Sequence, residues 1–240
     1  MKYLGSKNRI SKYILPIILK NRKKDQWYVE PFAGGMNLID KVDGKRIAND
    51  NNKYLIEMWK GLIKNKDRPY TISRDLYNKA RNEYNKKTNN YFDDFMIGWI
   101  GWMGSYNGKF FDGGYSGHNV NNRDYISEQI KNTEKQIKLL KDVVFLNKDY
   151  KKIFIPYKSI IYCDIPYQNK TQYKTSKNFN YDEFWNWCRN KTNDGHYIYI
   201  SEYNAPSDFI SIWEKKITNS LNTNKTYRPV EKLFIYKNKL

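Results

Sequence analysis

The sequence predicts an α/β fold, a sheet with helices on both faces, carrying an inserted and mostly helical domain. Three observations predict it. A strand, a Gly-rich turn, a helix, a second strand and an acidic residue follow one another over residues 27–50, the opening of an α/β nucleotide-binding sheet. Over residues 54–140 the apolar spacing is helical. Short β-branched and aromatic runs then return, bounded by polar turns.

The elements follow in order. Ile10, Tyr13, Ile14, Ile17 and Ile18 recur at helical spacing and predict a helix over about residues 7–20. Residues 27–29 form a short strand that runs directly into Glu30-Pro31-Phe32-Ala33-Gly34-Gly35. Residues 36–42 begin the next helix, and 46–48 form the second strand, closing at Asn49-Asp50-Asn51. Phe92, Phe95, Met96, Trp99, Ile100 and Met103 mark one face of a helix. Ile126, Ile130, Ile137 and Leu140 mark another. Between these helices, residues 104–122 are rich in Gly, Asn and Tyr, too long for a simple connector, and read as a functional loop. Strands are expected at 143–146, 160–163 and 197–200, with a helix near 182–189 between the last two. Lys216-Ile217 and Leu233-Phe234-Ile235-Tyr236 read as a closing strand pair. The expected organisation is one domain built from residues 1–52 and 142–240, with residues 53–141 inserted into it.

Composition narrows the partners. The chain has 240 residues, enough for a large domain with a sizeable insert. Its 43 Lys+Arg outweigh 25 Asp+Glu, for a net charge of +18, which favours a polyanion such as nucleic acid. An AT-rich coding bias also enriches Lys, Asn, Ile and Tyr, so charge alone does not decide. No apolar run is long enough to cross a membrane, and the first nine residues lack the apolar stretch of a signal peptide. A cytoplasmic protein is expected. Cys163, Cys188, His118 and His196 are the only cysteines and histidines. Their spacing suits neither a disulfide framework nor a zinc site, so no metal is expected.

Three segments carry chemistry. In the first, Gly34 and Gly35 let a ligand approach the turn backbone, and the N–H groups of a following helix favour a carboxylate or phosphate. A ligand-free strand-to-helix turn gives the same pattern. In the second, Asp50 ends a strand where a carboxylate can accept both hydroxyls of a ribose. It is equally placed to cap a helix, with Asn51 and Asn52 as further caps. The third, Cys163-Asp164-Ile165-Pro166-Tyr167, follows a strand. An exocyclic amino nitrogen on a heteroaromatic ring is a poor nucleophile, because its lone pair is delocalised into the ring. A carboxylate and a carbonyl accepting its two N–H bonds favour rehybridisation and stabilise the developing charge. Asp164 supplies the carboxylate and Ile165 the carbonyl. Pro166 stiffens the turn, and Tyr167 offers a face on which an extruded base can stack. A strand ending in an Asp-capped Pro turn is the structural alternative.

These segments resemble the Dam-type, alpha-class N6-adenine DNA methyltransferases, whose catalytic signature is Asp-Pro-Pro-Tyr. Lys2-Tyr3-Leu4-Gly5-Ser6-Lys7 resembles the family's amino-terminal cofactor motif. Residues 29–35 resemble its Phe-x-Gly motif, and Ala48-Asn49-Asp50 its ribose-binding acid. Ser105-Tyr106-Asn107-Gly108 resembles a stretch of its recognition domain, and Leu146-Asn147-Lys148-Asp149-Tyr150 the motif near the cofactor adenine. Ile200-Ser201-Glu202-Tyr203-Asn204 resembles a later motif walling the target pocket. The order matches along nearly the whole chain.

The resemblance implies a Rossmann-like class I methyltransferase sheet with an inserted target-recognition domain. It implies transfer of a methyl group from S-adenosyl-L-methionine to N6 of an adenine flipped out of double-stranded DNA. It assigns catalysis to Asp164, Ile165, Pro166 and Tyr167. Tyr3, Lys7, Glu30, Phe32, Gly34, Asp50, Asp149, Tyr150 and Asp164 fall to the cofactor, and Tyr106, Asn107, Lys109, Asn119, Asn122 and Arg123 to DNA. The family often reads GATC.

One departure stands out: Ile165 occupies the place of the first proline. That proline acts through its carbonyl, which Ile also has, so activity is expected. Two other readings compete. A DNA-binding protein with a dead site is favoured only by Ile165. A nicotinamide-dependent oxidoreductase fits the Gly-rich turn and the acid, but lacks a full Gly-x-Gly-x-x-Gly. Residues 64–90 hold eight cations against three acids, with tyrosines interleaved, a pattern suited to phosphate contact.

Overall fold

Among the described residues, strands from the two ends of the chain build a single mixed sheet of seven strands. The computed structural model describes residues 1–88, 90–117, 123–167, 179–216 and 230–239. Its strands are β1 (Tyr28–Glu30), β2 (Arg46–Asn49), β3 (Val143–Leu146), β4 (Ile160–Asp164), β5 (Tyr197–Glu202), β6 (Phe209–Lys216) and β7 (Val230–Tyr236). They lie in the order β3-β2-β1-β4-β5-β7-β6. The first five pair in parallel, while β7 runs antiparallel between β5 and β6. From β1 the chain steps outward to β2 and β3, then returns to β4 on the other side of β1. Strand order therefore reverses between β1 and β4, and open α/β sheets bind ligands in the crevice above such a point. This is the expected Rossmann-like arrangement.

Alternation along each strand gives the sheet two apolar faces. Tyr28, Ala48, Ile160, Tyr162 and Leu233 point to one side. There they pack with α1 (Ser11–Ile18), α2 (Lys53–Ile63), α4 (Asp94–Gly104) and α5 (Tyr125–Ile137) through residues such as Ile14, Leu55, Met58, Trp102 and Ile130. Val29, Ile47, Ile161, Cys163 and Ile200 point to the other side and meet Phe184, Trp187 and Cys188 of α6 (Tyr181–Asn193). Helices thus cover both faces.

Among the described residues of the segment 53–141, the regular elements are helices, as the spacing predicts: α2, α4 and α5 are joined by α3 (Arg74–Lys86). Side-chain oxygens of Asn52, Ser73, Asp93 and Asp124 accept backbone N–H bonds at the starts of α2, α3, α4 and α5, which fixes where each begins. The single apolar face expected around Trp99 is corrected by the structure. Every residue of α4 except Asp94 and Met96 is buried, because α4 packs against α2, α3 and α5. A helix apolar all round is a central one.

Two further expectations change. Residues 7–20 are not one helix: a 3-10 turn at Lys7–Arg9 precedes α1, which ends at Ile18. Residues 36–42 form only a 3-10 turn, Ile39–Lys41. Gly34 (φ 48°) and Met36 (φ 58°) are both left-handed, and a helix cannot propagate from such residues. The closing strand pair forms, but its first strand begins earlier than expected, at Phe209; Ile217 lies outside the described residues.

Candidate active site

The candidate residues converge at the carboxyl ends of the parallel strands. Glu30 ends β1, Asn49 ends β2 with Asp50 directly after it, Asp164 ends β4, and Glu202 ends β5. A sheet whose strands run one way collects such residues along one edge, however far apart they lie in sequence.

At the centre, Asp164 faces the same side as Tyr162, toward α1. Lys7, in the 3-10 turn before α1, reaches across and places its Nζ 3.1 Å from Asp164 Oδ1 and 3.3 Å from Glu231 Oε1. The Lys7 ammonium also sits 4.2 Å from the centre of the Tyr167 ring, and the Tyr167 hydroxyl donates to Glu231 Oε1. Tyr203 meets Tyr167 edge to face at 4.7 Å. The Tyr181 hydroxyl donates to the Pro166 carbonyl at 2.8 Å, pinning the turn. Ile165 is 3 % exposed and buries its side chain on the α6 side of the sheet.

Burial raises the Asp164 carboxyl to about 6; Lys7 pulls it down and Glu231 pushes it up. Lys7 is held above the usual lysine range, because Asp164 and Glu231 together outweigh its own burial. Beneath the site, the Tyr162 and Ser201 hydroxyls bond at 2.8 Å. Glu30 accepts from the Tyr28 hydroxyl at 2.9 Å. Burial pushes Glu30 well above the usual carboxylate range.

The Gly-rich turn closes onto Asp50. The Gly34 N–H donates to Asp50 Oδ2 at 3.0 Å, and the Asn52 N–H to Oδ1 at 2.9 Å. This corrects the expectation that a helix N-terminus follows the turn, since no helix forms there and the free N–H meets a carboxylate from the next strand. Burial raises Asp50, and the two backbone bonds hold it down. Asn49 locks the floor: its amide donates to the Pro31 and Lys148 carbonyls, both at 2.9 Å, and its Oδ1 accepts the Lys148 N–H at 3.0 Å. Phe32, two residues before Gly34, meets Tyr150 at 5.1 Å, and Phe179 and Phe184 flank the pair. Asp149 directly precedes Tyr150; its Oδ1 accepts the Lys151 N–H at 2.9 Å and caps a 3-10 turn.

Tyr3 lies flat on the glycine turn, and a Cβ at Gly35 would come within 2.5 Å of Tyr3 Cβ. The other side of the Tyr3 ring stacks on Trp102 of α4 at 5.0 Å. The loop Tyr106-Asn107-Gly108 rests on this same amino-terminal segment: a Cβ at Gly108 would meet the Lys2 carbonyl oxygen at 2.6 Å. Asn107 is left-handed at φ 56°. Tyr106 is exposed, while Ser105 holds the loop by accepting the Phe111 N–H at 2.9 Å. Lys109 follows at the end of the loop's 3-10 turn and donates its N–H to the Tyr106 carbonyl at 3.2 Å. Arg123 makes a two-pronged pair with Glu128 at 2.7 and 2.8 Å. Asn119 and Asn122 lie outside the described residues. In the basic stretch 64–90, Arg68 is not a phosphate ligand in waiting: it is buried, pairs with Glu134 at 2.7 Å and stacks on Trp99.

Three contributors escape the sequence reading. Gln136 on α5 donates to the Gly35 and Met36 carbonyls at 3.1 and 2.9 Å. Gln129 on the same helix accepts the Lys2 N–H at 2.8 Å and donates to its carbonyl at 3.1 Å. Glu231 joins Lys7 to Tyr167. The signal for the first two is their spacing: Gln129, Thr133 and Gln136 share one helical face with Ile126 and Ile130, and all are buried. Among the described residues no group of three or more acidic, His or Cys side chains stands ready for a metal, and no helix is long and apolar enough to cross a membrane.

A family model described as D12 class N6 adenine-specific DNA methyltransferase matches residues 3–229. No curated protein shows a significant match to the chain.

Proposed function

Since the chain belongs to the D12 class of N6 adenine-specific DNA methyltransferases, we propose that it methylates adenine flipped out of double-stranded DNA, with S-adenosyl-L-methionine as donor. The observation that carries this reading is Asp164 at the switch-point crevice, paired with Lys7 and flanked by Tyr167.

The residues fit the donor. Asp50 presents a buried carboxylate to a ribose diol, and Phe32 with Tyr150 offers apolar rings to an adenine. Glu30 and Asp164 are carboxylates raised by burial, an environment that welcomes a cation. Tyr3 and Gly34 shape the turn beneath it. When bound, S-adenosylmethionine supplies an electrophilic methyl group on a sulfonium.

The chain's own groups do the rest. Lys7 engages Asp164 Oδ1, which leaves Oδ2 to accept one N6–H of the adenine. The Ile165 carbonyl accepts the other. Together they hold the amino nitrogen in the geometry in which its lone pair points outward. A carboxyl held at about 6 is ionised at neutral pH, yet basic enough to take the proton that N6 must shed after methylation. Tyr167 supplies the ring for the extruded base, with stacking worth about 1–3 kcal/mol. Ile165 keeps every group this scheme uses and spends its side chain on the core.

We assign the helical segment 53–141 to target recognition, with residues 1–52 and 142–240 holding donor and chemistry. Tyr106, Asn107, Lys109 and Arg123, with Asn119 and Asn122, are side-chain types that reach base edges and phosphates. The loop at 106–108 touches the segment that carries Tyr3 and Lys7, so base reading and site assembly share one support. The proposed compartment is the cytoplasm.

The test incubates the protein with labelled S-adenosylmethionine and duplex DNA, GATC-containing duplexes first, then digests the DNA to nucleosides. N6-methyladenine is expected. A protein that binds both ligands and leaves no modified nucleoside refutes the reading.

A further inference from the structure

We propose that Glu231 is a positioning residue of the transfer site, fixing Lys7 and Tyr167 around Asp164. The inference rests on the reading of Asp164 and Tyr167 given above. Glu231 lies beyond the residues that the family model matches, which end at 229, so membership in the family assigns it no part.

The fold explains how a residue so late in the chain reaches the site. β7 runs antiparallel to β5, with Leu233 opposite Ser201 and Lys232 opposite Glu202. Ser201 in turn stands opposite Asp164. The start of β7 therefore rises above the carboxyl ends of β4 and β5, and residue 231 shares a face with Leu233. That is the face of Asp164 and Lys7.

Glu231 is 2 % exposed. An unpaired carboxylate buried this deeply is expensive, and its partners are both groups of the site. Oε1 accepts from the Tyr167 hydroxyl and lies 3.3 Å from Lys7 Nζ. Two consequences follow. The Tyr167 ring is tethered at its hydroxyl and held on one face by Lys7 at 4.2 Å, so the stacking platform is set before a base arrives. Lys7 is shared between two acids, so Asp164 is not neutralised by a full partner of its own. The titratable groups coupled to Asp164 are Lys7 before α1, Glu231 on β7, Tyr162 on β4, Tyr167 after it and Glu30 on β1.

The test uses the full chain with Glu231→Gln, Glu231→Asp and Glu231→Ala. Gln keeps an acceptor for Tyr167 and removes the charge. Carbon-13 NMR titration of the Asp164 carboxyl, assigned by its loss in Asp164→Asn, needs no activity. The expected result for Glu231→Gln is a midpoint lowered by about half a unit or more, because a like charge has gone. In single-turnover transfer the acid limb should move the same way. Glu231→Ala should reduce kcat about tenfold or more with little change in donor affinity, and Glu231→Asp should recover part of it, as expected when a preset stacking ring is loosened. A Glu231 that only stabilises the hairpin would lower the unfolding temperature and leave the midpoint in place. An unmoved Asp164 midpoint in a folded Glu231→Gln protein overturns the proposal. Absence of adenine methylation by the unmodified protein strikes instead at the reading of the site, and the titration still decides the role of Glu231.

Discussion

Replacing Lys7 with methionine isolates the charge that keeps Asp164 ready. The Lys7 side chain is 11 % exposed and its Nζ lies 3.1 Å from Asp164, and Met keeps most of its apolar stem. Burial alone pushes the Asp164 carboxyl upward, and Lys7 is the chief group that holds it to about 6. Removing one partner of a buried pair costs about 3–5 kcal/mol, and one pKa unit is about 1.4 kcal/mol. If the loss falls mostly on the ionised form of Asp164, its pKa rises by about 2–3 units, to roughly 8–9. The sign for activity follows: a carboxylate that must accept N6–H works above its pKa, so the acid limb moves to higher pH. At pH 7.5 the ionised fraction falls from about 97 % to between roughly 3 and 25 %. The stability effect has the opposite sense. Because the folded pKa lies above the unfolded one, Asp164 destabilises the fold above about pH 6 and stops doing so as pH falls through that value toward 4. The assay is single-turnover methyl transfer to duplex DNA from pH 5 to 10, with saturating donor. A limb near pH 6 in the unmodified protein and near 8 or above in Lys7→Met is expected. Coincident limbs with a uniformly lower rate would refute the electrostatic role of Lys7.

Other perturbations separate the remaining parts. Asp50→Asn should weaken S-adenosylmethionine binding about tenfold or more, since hydrogen bonds to a charged group are worth about 1.5–3 kcal/mol; unchanged affinity by calorimetry would reduce Asp50 to a clasp for Gly34 and Asn52. Gln136→Ala leaves the Gly35 and Met36 carbonyls without their shared donor. It should lower donor affinity several-fold while leaving DNA affinity unchanged in a fluorescence titration. Ile165→Pro should keep transfer within tenfold and lower stability by about 1 kcal/mol, because it trims a side chain that is 3 % exposed. Lost transfer with stability intact, followed by denaturant unfolding, would show that the residue 165 N–H is used.

The sheet and the centre of the site are legible in the sequence because each rests on local chemistry. Asp164 announces itself by the residues that follow it, and Asp50 by closing a strand after a glycine turn. What stays hidden depends on contacts between distant segments. Glu231 stands 64 residues from Tyr167 at the start of an ordinary-looking strand, and only the antiparallel insertion of β7 carries it to the site. Gln129 and Gln136 fall on the apolar face of their helix with Ile126 and Ile130, but only the folded chain brings the amino-terminal segment and the glycine turn against them. The missing helix after Gly35 has the same cause. A left-handed Met36, held by Gln136, overrides a segment whose spacing alone favours helix. The burial of α4 was signalled by Ile97, Gly98, Gly101 and Trp102, which interrupt any polar face.

The most direct test of the account compares Asp164→Asn with the unmodified protein in single-turnover transfer, with DNA and donor affinities measured alongside. The substitution is nearly isosteric and removes the acceptor charge facing N6. Transfer is expected to fall below detection or by about a thousandfold or more, within the range of a charge-stabilising group in a preorganised site, while DNA affinity stays within a few-fold. Methylation of adenine by Asp164→Asn at a rate near that of the unmodified protein would contradict it.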